Sequence, residues 1–154
     1  MKSSLSIEID ASPERVFCWL EDAERVMQWV PNIVENENLE VTEEKVGSTF
    51  RQVYVENGRR MEMFGLITEY EPNRQWNLEI DGSGFKLFLE YRLEDLGGRT
   101  RLTQDTDIQF KGLFKIIGLI MAPLLRKSSR KQHEDSFQKL KNLAESEVEQ
   151  PTES

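Results

Sequence analysis

The sequence predicts an α+β fold: a curved antiparallel sheet of about seven strands around one long C-terminal helix, with two short helices after the first strand. Three observations predict it. Consecutive short runs alternate apolar and polar residues with turn residues between them, two helix signals follow the first run, and a helical pattern begins after Phe110 and lasts to about Ser146. At 154 residues the chain suits a single domain, expected over 1–146, with 147–154 expected as a disordered acidic tail.

In the first run, Leu5, Ile7 and Ile9 share one face, the period of a half-buried strand. Ser12 followed by Pro13 starts a helix, because the hydroxyl caps free N–H groups and proline is tolerated in the first turn. Val16, Phe17, Leu20, Val26 and Trp29 keep helical spacing across a break near Glu21 and Asp22, so two short helices are expected, the second closed by Pro31. Six strands follow, at about 34–42, 49–56, 60–70, 75–80, 85–94 and 99–110. Their connections carry turn residues, and Asn57-Gly58 specifies a type I′ hairpin, whose central residues both need positive φ. Short loops between consecutive strands make an antiparallel meander.

Alternation orients some strands. Phe85, Leu87, Leu89, Tyr91 and Leu93 form one apolar face, as do Trp76, Leu78 and Ile80. On the last strand Leu102, Gln104, Thr106 and Ile108 oppose Arg101, Thr103, Asp105 and Asp107, so two uncharged polar groups are expected on the inner face, a hint of a site. Over 61–70 both faces carry large apolar groups, and the pattern does not orient that strand. Within it Glu62 and Glu69 are the two carboxylates whose facing stays open, with solvent favoured because Glu is seldom fully buried. In the last helix Pro123 is expected to kink or interrupt the ladder, and Phe137, Leu140 and Leu143 form the apolar stripe near its end.

Composition excludes some classes of function. The net charge of −8 disfavours a nucleic-acid partner, which needs an excess of Lys and Arg. One cysteine, Cys18, permits no internal disulfide, and the N-terminal residues lack the apolar stretch of a signal peptide; both favour the cytoplasm. The charge is uneven. Between Ile108 and His133 there is no acid and six basic residues, which leaves fourteen basic against 28 acidic residues elsewhere, a balance of −14.

The order of one strand, two short helices, six antiparallel strands and a long terminal helix is that of the helix-grip fold. Four runs are similar to segments of the SRPBCC superfamily, which includes START lipid-transfer domains, the major birch-pollen allergen and polyketide cyclases: IEIDASPERVF at Ile7 to Phe17, DAERVMQW at Asp22 to Trp29, GLITEYEPNRQW at Gly65 to Trp76, and FQKLKNLAE at Phe137 to Glu145. The chain resembles the polyketide cyclase/dehydrase-like branch over about residues 3–146. The resemblance implies a cavity between sheet and helix for a small hydrophobic molecule such as a lipid, isoprenoid or polyketide-like ring. It does not choose among carriers, cyclases and other members of the superfamily.

Given such a cavity, its wall is expected from Trp29, Phe50, Met63, Trp76, Phe85, Leu87, Leu89 and Met121, with Tyr54, Tyr91 and Gln104 as polar handles. No catalytic set is legible, and the reading leans away from an enzyme without excluding one. His133, the single histidine, lies in a polar stretch and is expected on the surface; no Cys/His cluster suits a metal and no cofactor is implied. Cys18 is expected as a small core filler.

The segment 112–125, GLFKIIGLIMAPLL, is apolar around its circumference apart from Lys115, more than a gripped helix needs and too short to span a bilayer. Three readings stay open: its outer face is covered by the rest of the chain, meets a second copy as a homodimer, or lies on an anionic membrane. The contacting residues for the last two would be Phe114, Ile117, Met121, Arg126, Lys127 and Arg130.

Overall fold

A computed structural model describes residues 2–147, and for 114 and 117–129 the backbone alone. The elements run β1 (Lys2–Ile9), α1 (Pro13–Glu21), α2 (Ala23–Trp29), β2 (Ile33–Glu40), β3 (Thr49–Glu56), β4 (Arg59–Glu71), β5 (Gln75–Gly82), β6 (Phe85–Asp95), β7 (Thr100–Phe110) and α3 (Leu113–Ser146). One seven-stranded antiparallel sheet has the order β1-β7-β6-β5-β4-β3-β2. It is the helix-grip arrangement. The tail expected to be disordered, apart from Glu147, lies outside the described residues.

Local chemistry explains the boundaries. The Ser12 hydroxyl accepts from Arg15 N–H at 3.3 Å with Pro13 opening α1, and Asp22 accepts from Glu24 and Arg25 N–H at 3.0 Å each to open α2. Between β3 and β4, Asn57 and Gly58 have φ of 52° and 76°, as the two-residue turn requires. The helix is not interrupted at Pro123: α3 continues through it from Leu113 to Ser146.

The strand that alternation left unoriented owes its ambiguity to a bulge. Met61, Met63, Gly65 and Ile67 face inward, but the register shifts between Ile67 and Glu69, which moves the inward phase to Tyr70. Phe64 and Leu66, ahead of the bulge, add to the ambiguity by lying on the outer face, 48% and 36% exposed.

The closed part of the core sits where α1 and the distal half of α3 meet the sheet. Ile9, Val16, Leu20, Leu102, Leu140 and Ala144 are fully buried there, with Phe17 and Phe137 nearly so. Thr100 Oγ1 donates to Ala11 C=O at 2.8 Å and ties β7 to the start of α1. Cys18 is not part of this core. It is exposed, because α1 turns Val16, Phe17 and Leu20 inward and carries residue 18 on the opposite side.

Candidate functional site

Beside the closed core the sheet and helices separate around a cavity of about 390 Å³. Its floor is the inner face of β3 to β7, and its walls come from α1, α2, the β2–β3 loop and residues 132, 133, 136 and 137 of α3. Two glycines let the floor lie flat. A Cβ on Gly65 would stand 2.0 Å from Phe50 Cζ, and one on Gly82 would stand 2.5 Å from Phe85 Cζ. Each ring therefore lies directly on backbone that only glycine leaves open.

Four side chains with polar atoms form a row across four strands of the floor. Tyr70 pairs with Trp76, Trp76 with Tyr91, and Tyr91 with Gln104, all on the inward face. The Trp76 and Tyr91 rings stack with centroids 5.7 Å apart. Gln104 Nε2 donates to Tyr91 Oη at 2.7 Å, so the Tyr91 proton is left to donate elsewhere. Burial pushes the Tyr91 phenol up to about 12, which keeps it protonated across the physiological range. Trp76 Nε1 and Gln104 Oε1 are buried and have no hydrogen-bond partner among the described residues.

Ionisable groups also reach the wall. Tyr70 donates to Glu21 Oε2 at 2.7 Å, and burial, then that carboxylate, raise its phenol well above the ordinary value. His133 is a correction to the sequence reading: it is half-buried on the cavity wall, and burial holds its imidazole below the ordinary value of 6.5. Its helical neighbours Lys131, Glu134 and Asp135 are polar, and that polarity hid its inward direction. Glu62 and Glu69 both face solvent, Glu62 pairing with Arg51 at 2.6 Å.

Ten residues expected at the cavity stand on its wall: Trp29, Phe50, Tyr54, Met63, Trp76, Phe85, Leu87, Leu89, Tyr91 and Gln104. Met121, with Phe114, Ile117, Arg126 and Lys127, lies outside the residues whose side chains are described. Arg130 is exposed and pairs with Glu134 at 3.2 Å. Sequence reasoning missed Tyr70, His133, Gln52, Asn36 and Asn38 as wall residues. The two asparagines alternate with glutamates on the edge strand β2, where a polar run gives no sign of an inner face.

Among the described residues, no group of three or more His, Cys, Asp or Glu is placed to hold a metal ion, and no helix is long and apolar enough to cross a membrane. The cavity can enclose an apolar body, meet a small polar group on the row, and offer neutral side chains able to exchange protons.

A family model described as polyketide cyclase / dehydrase and lipid transport matches residues 1–145. Among curated proteins none matches this sequence. Solved structures share the fold at low identity. The Zhui aromatase/cyclase from Streptomyces sp. R1128 superposes with a TM-score of 0.80 at 15% identity, covering 99% of this chain and 98% of that one. A START superfamily protein from Mycobacterium smegmatis gives 0.78 at 22% identity, covering 94% and 97%. A conserved protein from Geobacillus kaustophilus gives 0.77 at 15% identity, covering 96% and 97%.

Proposed function

Because the chain belongs to the polyketide cyclase / dehydrase and lipid transport family, we propose that it binds and carries a small, predominantly apolar molecule in the cavity between the sheet and α3. One observation carries this reading: a cavity of about 390 Å³ whose floor is largely aromatic and aliphatic and is crossed by the Tyr70–Trp76–Tyr91–Gln104 row. A void of that size costs stability, since its lining atoms forgo contacts across it, and a matching ligand restores them. Native mass spectrometry of the protein purified from its own host tests the reading, because a bound small molecule adds a discrete mass to the 18.0 kDa chain. Uptake of the neutral fluorophore N-phenyl-1-naphthylamine is the second measurement. No adduct and no uptake would overturn the proposal.

A cyclase or dehydratase is the second reading, favoured by the presence of Glu21, Tyr70, Tyr91 and His133 around the same cavity. A neutral imidazole and protonated phenols can take and give protons to a substrate folded by the cavity. Incubating the co-purified molecule with fresh protein separates the two: recovery unchanged supports carriage, and conversion supports catalysis.

A further inference from the structure

We infer that the molecule held in this cavity carries a neutral hydroxyl group, an alcohol or phenol on an otherwise apolar body, seated on the Trp76–Tyr91–Gln104 row. The inference rests on the cavity-binding reading above and specifies its ligand. Trp76 and Gln104 are 8% and 7% exposed, both line the cavity, and among the described residues Trp76 Nε1 and Gln104 Oε1 have no partner. Between them, Tyr91 accepts from Gln104 at 2.7 Å and keeps its own proton for a further acceptor. Three neighbouring residues of the cavity lining thus hold two donors and one acceptor that the described residues leave unpaired.

Hydrogen-bond inventory decides which head group matches. A hydroxyl oxygen accepts from Trp76 and Tyr91 while its proton goes to Gln104 Oε1, so all three are satisfied. A ketone leaves Gln104 Oε1 unpaired. A carboxylate leaves it unpaired too and is buried without a countercharge, which is costly. Among the described residues the one Lys or Arg lining the cavity is Lys45, on the loop between β2 and β3, at the other edge of the sheet from β7; burial disfavours the protonated form of His133. An alkyl group leaves all three groups bare. A ligand group that leaves such atoms without hydrogen bonds lowers affinity.

Matched naphthalenes test this by isothermal titration near neutral pH: 2-naphthol, its methyl isostere 2-methylnaphthalene, and 2-naphthoate. 2-Naphthol is expected to bind about tenfold or more tighter than the other two, because buried groups built around a hydroxyl reject analogues that lack it. Gln104→Leu should erase that preference while leaving 2-methylnaphthalene bound as well or better. Tyr91→Phe, which removes a single oxygen, is the second variant should the first not fold, with thermal melts as the check. Equal affinities in the parent protein overturn the inference. So does a preference that survives in folded variants, or failure of both neutral naphthalenes while N-phenyl-1-naphthylamine is taken up. Failure of every probe, the fluorophore included, overturns the cavity-binding reading itself.

Discussion

A Cβ at Gly65 has nowhere to go unless the Phe50 ring leaves the sheet floor, since the two would stand 2.0 Å apart. Gly65→Ala should therefore destabilise the protein by about 1–3 kcal/mol, the usual result of overpacking. Chemical denaturation measures it, and adding Phe50→Leu should recover part of the loss, because the two sites are coupled. His133 gives a pH-dependent counterpart. Burial holds its pKa below 6.5 in the fold, so between that lowered value and 6.5 the unfolded chain binds more protons. Stability is then full above 6.5 and is lost as pH falls below it. Carboxylates behave likewise in a lower window: the Arg60 hydrogen bond holds Glu35 below 4.5 and the Lys111 hydrogen bond holds Asp81 below 3.8, and their contributions are lost beneath those values. His133→Gln should flatten the stability profile from about pH 7.5 to about pH 5 and leave the more acid limb unchanged; an unaltered slope would contradict the assignment.

At the scale of elements, sequence legibility followed the regularity of each ladder. β5, β6 and β7 keep unbroken antiparallel register, so alternation alone located Trp76, Leu87, Leu89, Tyr91 and Gln104 on the inner face. β4 carries an extra residue between Ile67 and Glu69, and a one-residue slip reverses every face beyond it, which is why Tyr70 could not be placed. The helix α3 divides in the same way. Its distal half is an amphipathic clamp: Leu140 is fully buried, and beyond it Glu147 accepts from Trp19 Nε1 at 2.7 Å and Arg25 at 3.1 Å. Leu140→Ala should cost about 2–5 kcal/mol in a denaturant titration, whereas Glu147→Gln, at a half-exposed ion pair, should cost no more than about 1 kcal/mol. At the proximal end Leu113 and Ile116 are 80% and 60% exposed beside exposed Lys111 and Lys115. Apolar and basic groups together suit an anionic bilayer surface. The protein should sediment with phosphatidylglycerol vesicles at low salt, less so in high salt or with Leu113→Ser and Ile116→Ser combined, and no sedimentation would remove membrane docking.

Over the whole molecule, the cavity is the feature that sequence could name only through resemblance. Its wall draws on residues from Leu20 to Phe137, and no local pattern distinguishes an apolar side chain that touches a neighbour from one that faces a void. That distinction is energetic, so it can be tested by filling the space. Leu89 lies half-buried on the floor, between Leu78 on one side and Thr106 on the other. Leu89→Trp would extend an indole into the cavity without disturbing the closed core around Leu140 and Phe17. If the void is kept for a ligand, the larger side chain gains the contacts that the lining forgoes and raises stability by about 0.5–2 kcal/mol, at the expense of binding. The expected pair of results is a higher midpoint of thermal unfolding and loss of N-phenyl-1-naphthylamine uptake. A variant that unfolds more easily would mean that the space around Leu89 is already packed, and a stabilised variant that still takes up the fluorophore would place its binding outside this cavity.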